Sequence, residues 1–157
     1  MKAIIEMAAR IADLERRMNS IVRHGTVAEV DPAKGAVRVQ IGGTDDKPFL
    51  SPWLPYGQVA GALKVHSPPS VGQQMTVVSP TGDFRQAVAM PMTWSDKNAS
   101  PSNKGDENVL TFGDAKIELR GGEIIVTVPR FLIRCGGTMF ELTGNGIRAV
   151  ASDYQFD

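Results

Sequence analysis

Apolar residues recur along this chain with two different periods, and the change of period divides it. Over residues 1–23 the positions Ile4, Met7, Ile11, Leu14, Met18 and Ile21 follow one another at alternating intervals of three and four. That spacing is a heptad seam, so it predicts a helix with Ile4, Ile11 and Met18 at a and Met7, Leu14 and Ile21 at d. Arg10 at g can then reach Glu15 at e of a neighbouring parallel helix. The stripe is narrow, with Ala3, Ala8, Ala9 and Ala12 beside it. This favours a seam between chains over an amphipathic helix lying on its own domain. Isoleucine at a with a mixed d set is compatible with a trimer. His24 and Gly25 supply a helix stop, with Gly25 as a left-handed cap.

From residue 24 to 94 the period falls to two. In "AVRVQIGG", Val37, Val39 and Ile41 share one face while Arg38 and Gln40 share the other, the signature of a half-buried strand. Pro32 and Gly35 in the preceding "VDPAKG" predict a hairpin turn. Strands are expected near 26–31, over "AVRVQIGG", and near 48–54, 73–79 and 84–90, with a tight turn over 80–83 and a long loop over 56–70. Five antiparallel strands in about 70 residues suit a small Greek-key barrel of the oligonucleotide/oligosaccharide-binding (OB) type. Residues 95–108, "SDKNASPSNKGDEN", have a linker composition.

Residues 109–157 begin with short β-like runs, "VLTF", "AKIELR", "EIIVTV", "FLIRC", "TMFEL" and "IRAVA", separated by glycines. Ala115, Ile117 and Leu119 alternate with Lys116, Glu118 and Arg120, and Arg134 and Arg148 interrupt the later runs in the same way. A segment of about 40 residues rarely buries such a face alone and normally requires a disulfide, a metal or oligomerisation. An isolated meander would also expose unpaired edges. The expected solution is a prism of three copies, an intertwined trimeric β-helix. Its inward core is assigned to Ile117, Leu119, Val126, Val128, Ile133, Cys135, Phe140, Leu142 and Ile147. Glycine pairs are expected at the corners of that prism. The competing arrangement has these strands extend the barrel or form a small sandwich within one chain.

Composition narrows the chemistry. The 157 residues carry 17 Lys plus Arg and 17 Asp plus Glu, with no long block of either sign, which gives little pull toward nucleic acid or membrane. Cys135 is the only cysteine, so no intrachain disulfide forms and no zinc-ligand set is present. Charged residues interrupt the first helix too early for a signal peptide, and no run reaches the roughly 20 apolar residues of a membrane span. His24 and His66 read as turn or surface residues, and the pairs Asp45-Asp46 and Asp106-Glu107 read as solvated loops. Trp53 and Trp94 could stack bases in a single-strand-binding OB domain, but packing or subunit contact is the simpler reading.

The order of parts, with "RHGTVAEVDPAKGAVRVQIGG", "LSPWLPYG" and "PSVGQQMTVVSPTGDFRQAVAM" over residues 23–94, resembles the phage baseplate assembly protein V family. Its members are central spikes of contractile-tailed phages and phage-tail-like bacteriocins. The resemblance implies a homotrimer in the tail baseplate of a virion or tailocin particle, made in the host cytoplasm. It implies the tail tube or hub protein above, other baseplate proteins around it and transient contact with the host envelope below. The implied role is mechanical, a puncturing spike with no catalysis and no cofactor. Six strand passes give a needle of roughly 25–30 Å. Many such spikes end in a His-x-His pair per chain that binds iron, whereas "SDYQFD" has none, so no iron is expected. Tyr154 and Phe156 are candidates to cap the end or to meet a separate tip protein. Two other classes compete: an OB-fold binding module for single-stranded nucleic acid or glycan, and a small hydrolase of cell-wall sugars.

Overall fold

A computed structural model describes residues 1–44 and 46–153. The chain divides into two compact units, Met1–Ala99 and Ser100–Asp157.

The first unit opens with helix α1 (Lys2–Met18). The last carbonyls are satisfied locally: the amides of Asn19 and Ser20 donate to Glu15 and Arg17, and Ser20 Oγ donates to Arg16. The helix is therefore shorter than expected. Ile21 lies beyond its end, and Gly25 is not its cap but an interior residue of strand β1 (Val22–Asp31). Sheet pairing wins here, because Val22 already sits opposite Val78 and the Ile21 carbonyl accepts from Ser79 N–H at 2.7 Å. Asp13 accepts from Arg16 and Arg17 one turn on, an exposed intrahelical cluster near the negative end of the helix dipole.

The apolar stripe of α1 is uncovered by the chain itself. Ile4, Met7, Ile11, Leu14 and Met18 are each at least half exposed, from 50% to 74%. The polar Arg16, Arg17 and Ser20 instead face the barrel, beside Pro52, Thr81 and Asp83. An amphipathic helix resting its apolar face on its own domain would show the opposite.

The other strands of this unit are β2 (Ala36–Thr44), β3 (Lys47–Leu50), β4 (Leu54–Pro55), β5 (Gln74–Val78) and β6 (Val88–Pro91). The order is β3-β2-β1-β5-β6, with β4 also paired to β2. A bridge from Tyr56 to Ala89, and Gly57 N–H donating to Ala89 O at 2.9 Å, join the β4 end to β6 and close the barrel. The expected strand near 48–54 is split into β3 and β4, and the one expected from 84 begins as a short 3-10 turn, Phe84–Gln86. The turn residues behave as anticipated, with Gly35 at φ +61° and Gly82 at φ +72°.

β1 is shared between two partners. Its first half, Val22 to Thr26, pairs with β5, and its second half, Thr26 to Asp31, pairs with β2 with a register shift between Val27 and Glu29. Such a bent strand brings backbones close together at the handover. Gly25 sits there, and a Cβ on it would lie 2.1 Å from the Gln40 carbonyl oxygen.

Among the described residues the buried core lies in this barrel. Val27, Val37, Val39, Ile41, Leu54, Tyr56, Met75, Val77, Ala87 and Ala89 are buried together, and alternation in β2 and β5 puts their other residues outward. Two buried serines are satisfied by backbone. Ser51 Oγ accepts from Val39 N–H at 3.0 Å and donates to Pro52 O, and Ser79 Oγ donates to Asp83 O at 2.8 Å. Trp53 and Trp94 are 48% and 61% exposed, so burial in their own chain does not explain them.

Asp83 accepts from the guanidinium and backbone N–H of Arg85, and this holds its carboxyl down from 3.8 to about 2. A depressed folded-state value stabilises above the unfolded value near 3.8, and the contribution disappears as pH falls toward 2. An NMR titration of the Asp83 carboxyl is expected to show that low midpoint, and Arg85→Ala to move it back up toward 3.8. Identical midpoints in both proteins would show that Arg85 is not the cause.

After β6, residues 95–98 close a tight turn, with Ser95 and Asn98 exchanging backbone hydrogen bonds at 3.0 Å. The second unit then runs as β7 (Glu107–Phe112), β8 (Ala115–Arg120), β9 (Glu123–Thr127), β10 (Arg130–Cys135), β11 (Thr138–Thr143) and β12 (Gly146–Val150). These form two antiparallel sheets, β7-β8-β9 and β10-β11-β12. Within one chain the glycine pairs stand between the strands of these meanders. They form two-residue hairpin turns, most plainly at Gly121 and Gly122 with φ of +55° and +86°, values that L side chains resist. Among the described residues of this unit none is fully buried, so it has no sandwich interior of its own.

A candidate assembly surface on two β-meanders

Register decides which side chains share a face. In the first sheet Leu110, Ile117 and Val126 lie in one row and Asn108, Leu119 and Ile124 in the next. Phe112 and Ala115 flank the first turn on the same side. In the second sheet the rows are Phe131, Leu142 and Ile147, then Ile133, Phe140 and Ala149, with Cys135 opposite Thr138 at the turn. Because side chains alternate across a strand, each sheet thus has one almost wholly apolar face.

Eight of the nine residues assigned from sequence share these two faces, Ile117, Leu119 and Val126 on the first and Ile133, Cys135, Phe140, Leu142 and Ile147 on the second, while Val128 follows the end of β9. Within one chain the faces are open. Leu110 is 68% exposed, Ile124 71% and Ile147 70%, and Cys135 is a free, exposed thiol. Sequence reasoning missed Leu110, Phe112, Ile124 and Phe131. A signal for Phe112 existed, since a two-residue Gly-Asp turn places it opposite Ala115, and the rest of β7 follows by alternation.

The opposite faces are mixed: Val109 and Ile125 flank Glu118, Leu132 lies opposite Glu141 and Met139 opposite Arg134, and these faces carry the charge. Lys116 pairs with Glu118 at 3.1 Å and Arg130 pairs with Glu141, while Arg120 stands between Glu107 and Glu123 across the strands. Glu107 also accepts from Ser102 Oγ, and that hydrogen bond, aided by Lys104, lowers its carboxyl below the usual range. Val128 and Pro129 carry the chain from one sheet to the next. Proline has no N–H to continue a ladder. Near this crossing Val126, Val128, Phe131, Leu142, Thr143 and Gly144 line an open hollow of about 480 Å³.

The other sequence candidates are scattered. Ile4, Met7, Ile11, Leu14 and Met18 share α1, and Ile21 stands in the turn after it. His24 Nδ1 lies 3.1 Å from Thr76 Oγ1, and His66 is exposed in the loop after β4. Tyr154, Phe156 and Asp45 lie outside the described residues. Such a surface offers burial of apolar area and little else: non-directional attraction of about 1.5–3 kcal/mol for each large side chain removed from water.

The barrel defines a class. Residues 23–94 match the injector OB domain of type VI secretion systems and phage baseplates. Over that domain the chain resembles the phage baseplate assembly protein V family. It is 31% identical over 110 residues to the spike protein of Escherichia phage P2, a match covering 69% of this chain and 50% of that relative. The chain spans about half the length of this curated relative.

Proposed function

We propose that this chain is the central spike of a contractile injection baseplate, acting as a homotrimer whose meanders close around a threefold axis. The observation that carries the reading is the pair of uncovered apolar faces, rich in Ile, Leu, Val and Phe and backed by mixed, charge-bearing faces, in a unit with no buried core of its own. Two further copies of the same surface cover these faces with like residues and remove the open sheet edges, which a partner of different composition would have to match row by row. The uncovered stripe on α1 adds a second surface of the same kind at the other end of the chain. The match of the barrel to the injector OB domain and the likeness to a phage spike protein support a place in a tail baseplate, with hub and other baseplate proteins as neighbours.

The role is mechanical. A closed, interleaved prism loads many backbone hydrogen bonds at once and has no free edge from which to unravel, which suits passage through an envelope. Sedimentation equilibrium on the purified protein is expected to give about three times the chain mass of 16.9 kDa. A monomer at micromolar concentration would end the trimer reading. The exposed Trp53 and Trp94 favour one competing reading, an OB module that stacks single-stranded nucleic acid. A gel shift on single-stranded DNA that weakens with salt would support that module over the spike.

A further inference from the structure

We propose that the turn of residues 79–83 is a socket that seats the C-terminal end of α1 and so fixes, within a single chain, the direction in which the helix presents its apolar stripe. Ser79 is wholly buried. Its N–H donates to Ile21 O at 2.7 Å and its Oγ donates to Asp83 O at 2.8 Å, so one residue ties the turn to itself and to the chain leaving the helix. Gly82 lies against the helix backbone. A Cβ built on it would stand 2.6 Å from Arg17 O, 2.9 Å from Arg17 Cα and 3.1 Å from Arg17 C. All three are backbone atoms, which cannot rotate aside as a side chain would.

Most of the remaining contact is polar, with Pro52 and Phe84 beside it. Arg16, Arg17 and Ser20 border a hollow of about 430 Å³ with Thr81, Asp83 and Arg85 on its far side. The Arg17 charge also favours the ionised form of Asp83. The stripe residues Ile11, Leu14 and Met18 take no part and stay exposed. Without the socket, residues 19–21 would be a short free joint about which the helix could swing. Three mutually aligned helices would then lose orientational freedom only on assembly, a cost that a seated helix has already met. The use of the stripe by other copies rests on the trimer reading, whereas the socket is a property of one chain.

The test compares Gly82→Ala with Gly35→Ala in the full-length chain. Both glycines have positive φ, +72° and +61°, so both variants carry the left-handed penalty, but a Cβ at Gly35 meets nothing within 4 Å. Amide exchange at Ser20, Ile21 and Ser79 and trypsin cleavage after Arg16 and Arg17 report on the helix end. Gly82→Ala is expected to accelerate both by about tenfold or more, with Gly35→Ala close to wild type. Equal behaviour of the two variants overturns the socket. Should Gly82→Ala not fold, the wild-type protein decides: a Ser79 amide exchanging as fast as an exposed loop overturns it, and a protected one supports it. Sedimentation on the same samples separates the two readings. A monomer with a protected Ser79 amide removes the trimer and leaves the socket, and a trimer with indistinguishable variants does the reverse.

Discussion

Ile117→Asp is expected to abolish the oligomer. Ile117 sits in the centre row of the first apolar face, with Leu110 on one side and Val126 on the other. In the proposed prism three copies of this row would meet at a dry axis, and the substitution would bring three carboxylates together with no cation among the row neighbours. Burying even an uncharged polar group without a partner costs roughly 2–7 kcal/mol, and a carboxylate more. Three such groups exceed what the flanking Leu and Val contacts contribute. Sedimentation should therefore show a single chain, and Ile133→Asp in the second sheet should do the same. Thr111→Asp is the control, because Thr111 lies opposite Lys116 on the charged face. Ile117→Asp protein that still sediments as three chains would mean that this face is not the assembly surface.

Gly25→Ala is expected to unfold the barrel. The added Cβ would stand 2.1 Å from Gln40 O, 2.8 Å from Val39 Cγ1 and 2.9 Å from Gln40 C, at the point where β1 passes from β5 to β2. Neither backbone can retreat without breaking one of those two ladders, and Val39 is itself wholly buried. The loss should exceed about 4 kcal/mol, the range reached only when a defined structural requirement is violated. Gly61→Ala is the matched control, a loop glycine whose Cβ would meet nothing within 4 Å, and should fall within about 0.5 kcal/mol of wild type. Thermal unfolding by circular dichroism reads both. A Gly25→Ala protein melting with wild type would refute the close approach of β1 to β2.

Periodicity alone located most elements. Each of the six runs between residues 109 and 151 coincides with one of β7 to β12, because alternating side chains punctuated by glycine satisfy few backbones other than short hairpins. The apolar faces were legible for the same reason, since a period of two leaves little choice about which residues sit together. Leu110 and Phe112 escaped because "VLTF" has apolar residues on both faces and only the turn register separates them.

What residue pattern determined by itself was therefore local: the kind of each element, its two faces and the places where the chain turns. What only the tertiary structure decided was non-local. Helix α1 stops at Met18 because Ser79, far along the chain, captures the Ile21 carbonyl, and Gly25 is a point of close strand approach rather than a helix cap. The barrel closes through a Tyr56 to Ala89 bridge that no local spacing announces. Hydrogen bonds between distant segments compete with local preference on equal energetic terms, and which of them form depends on where the whole chain can bring its backbones together.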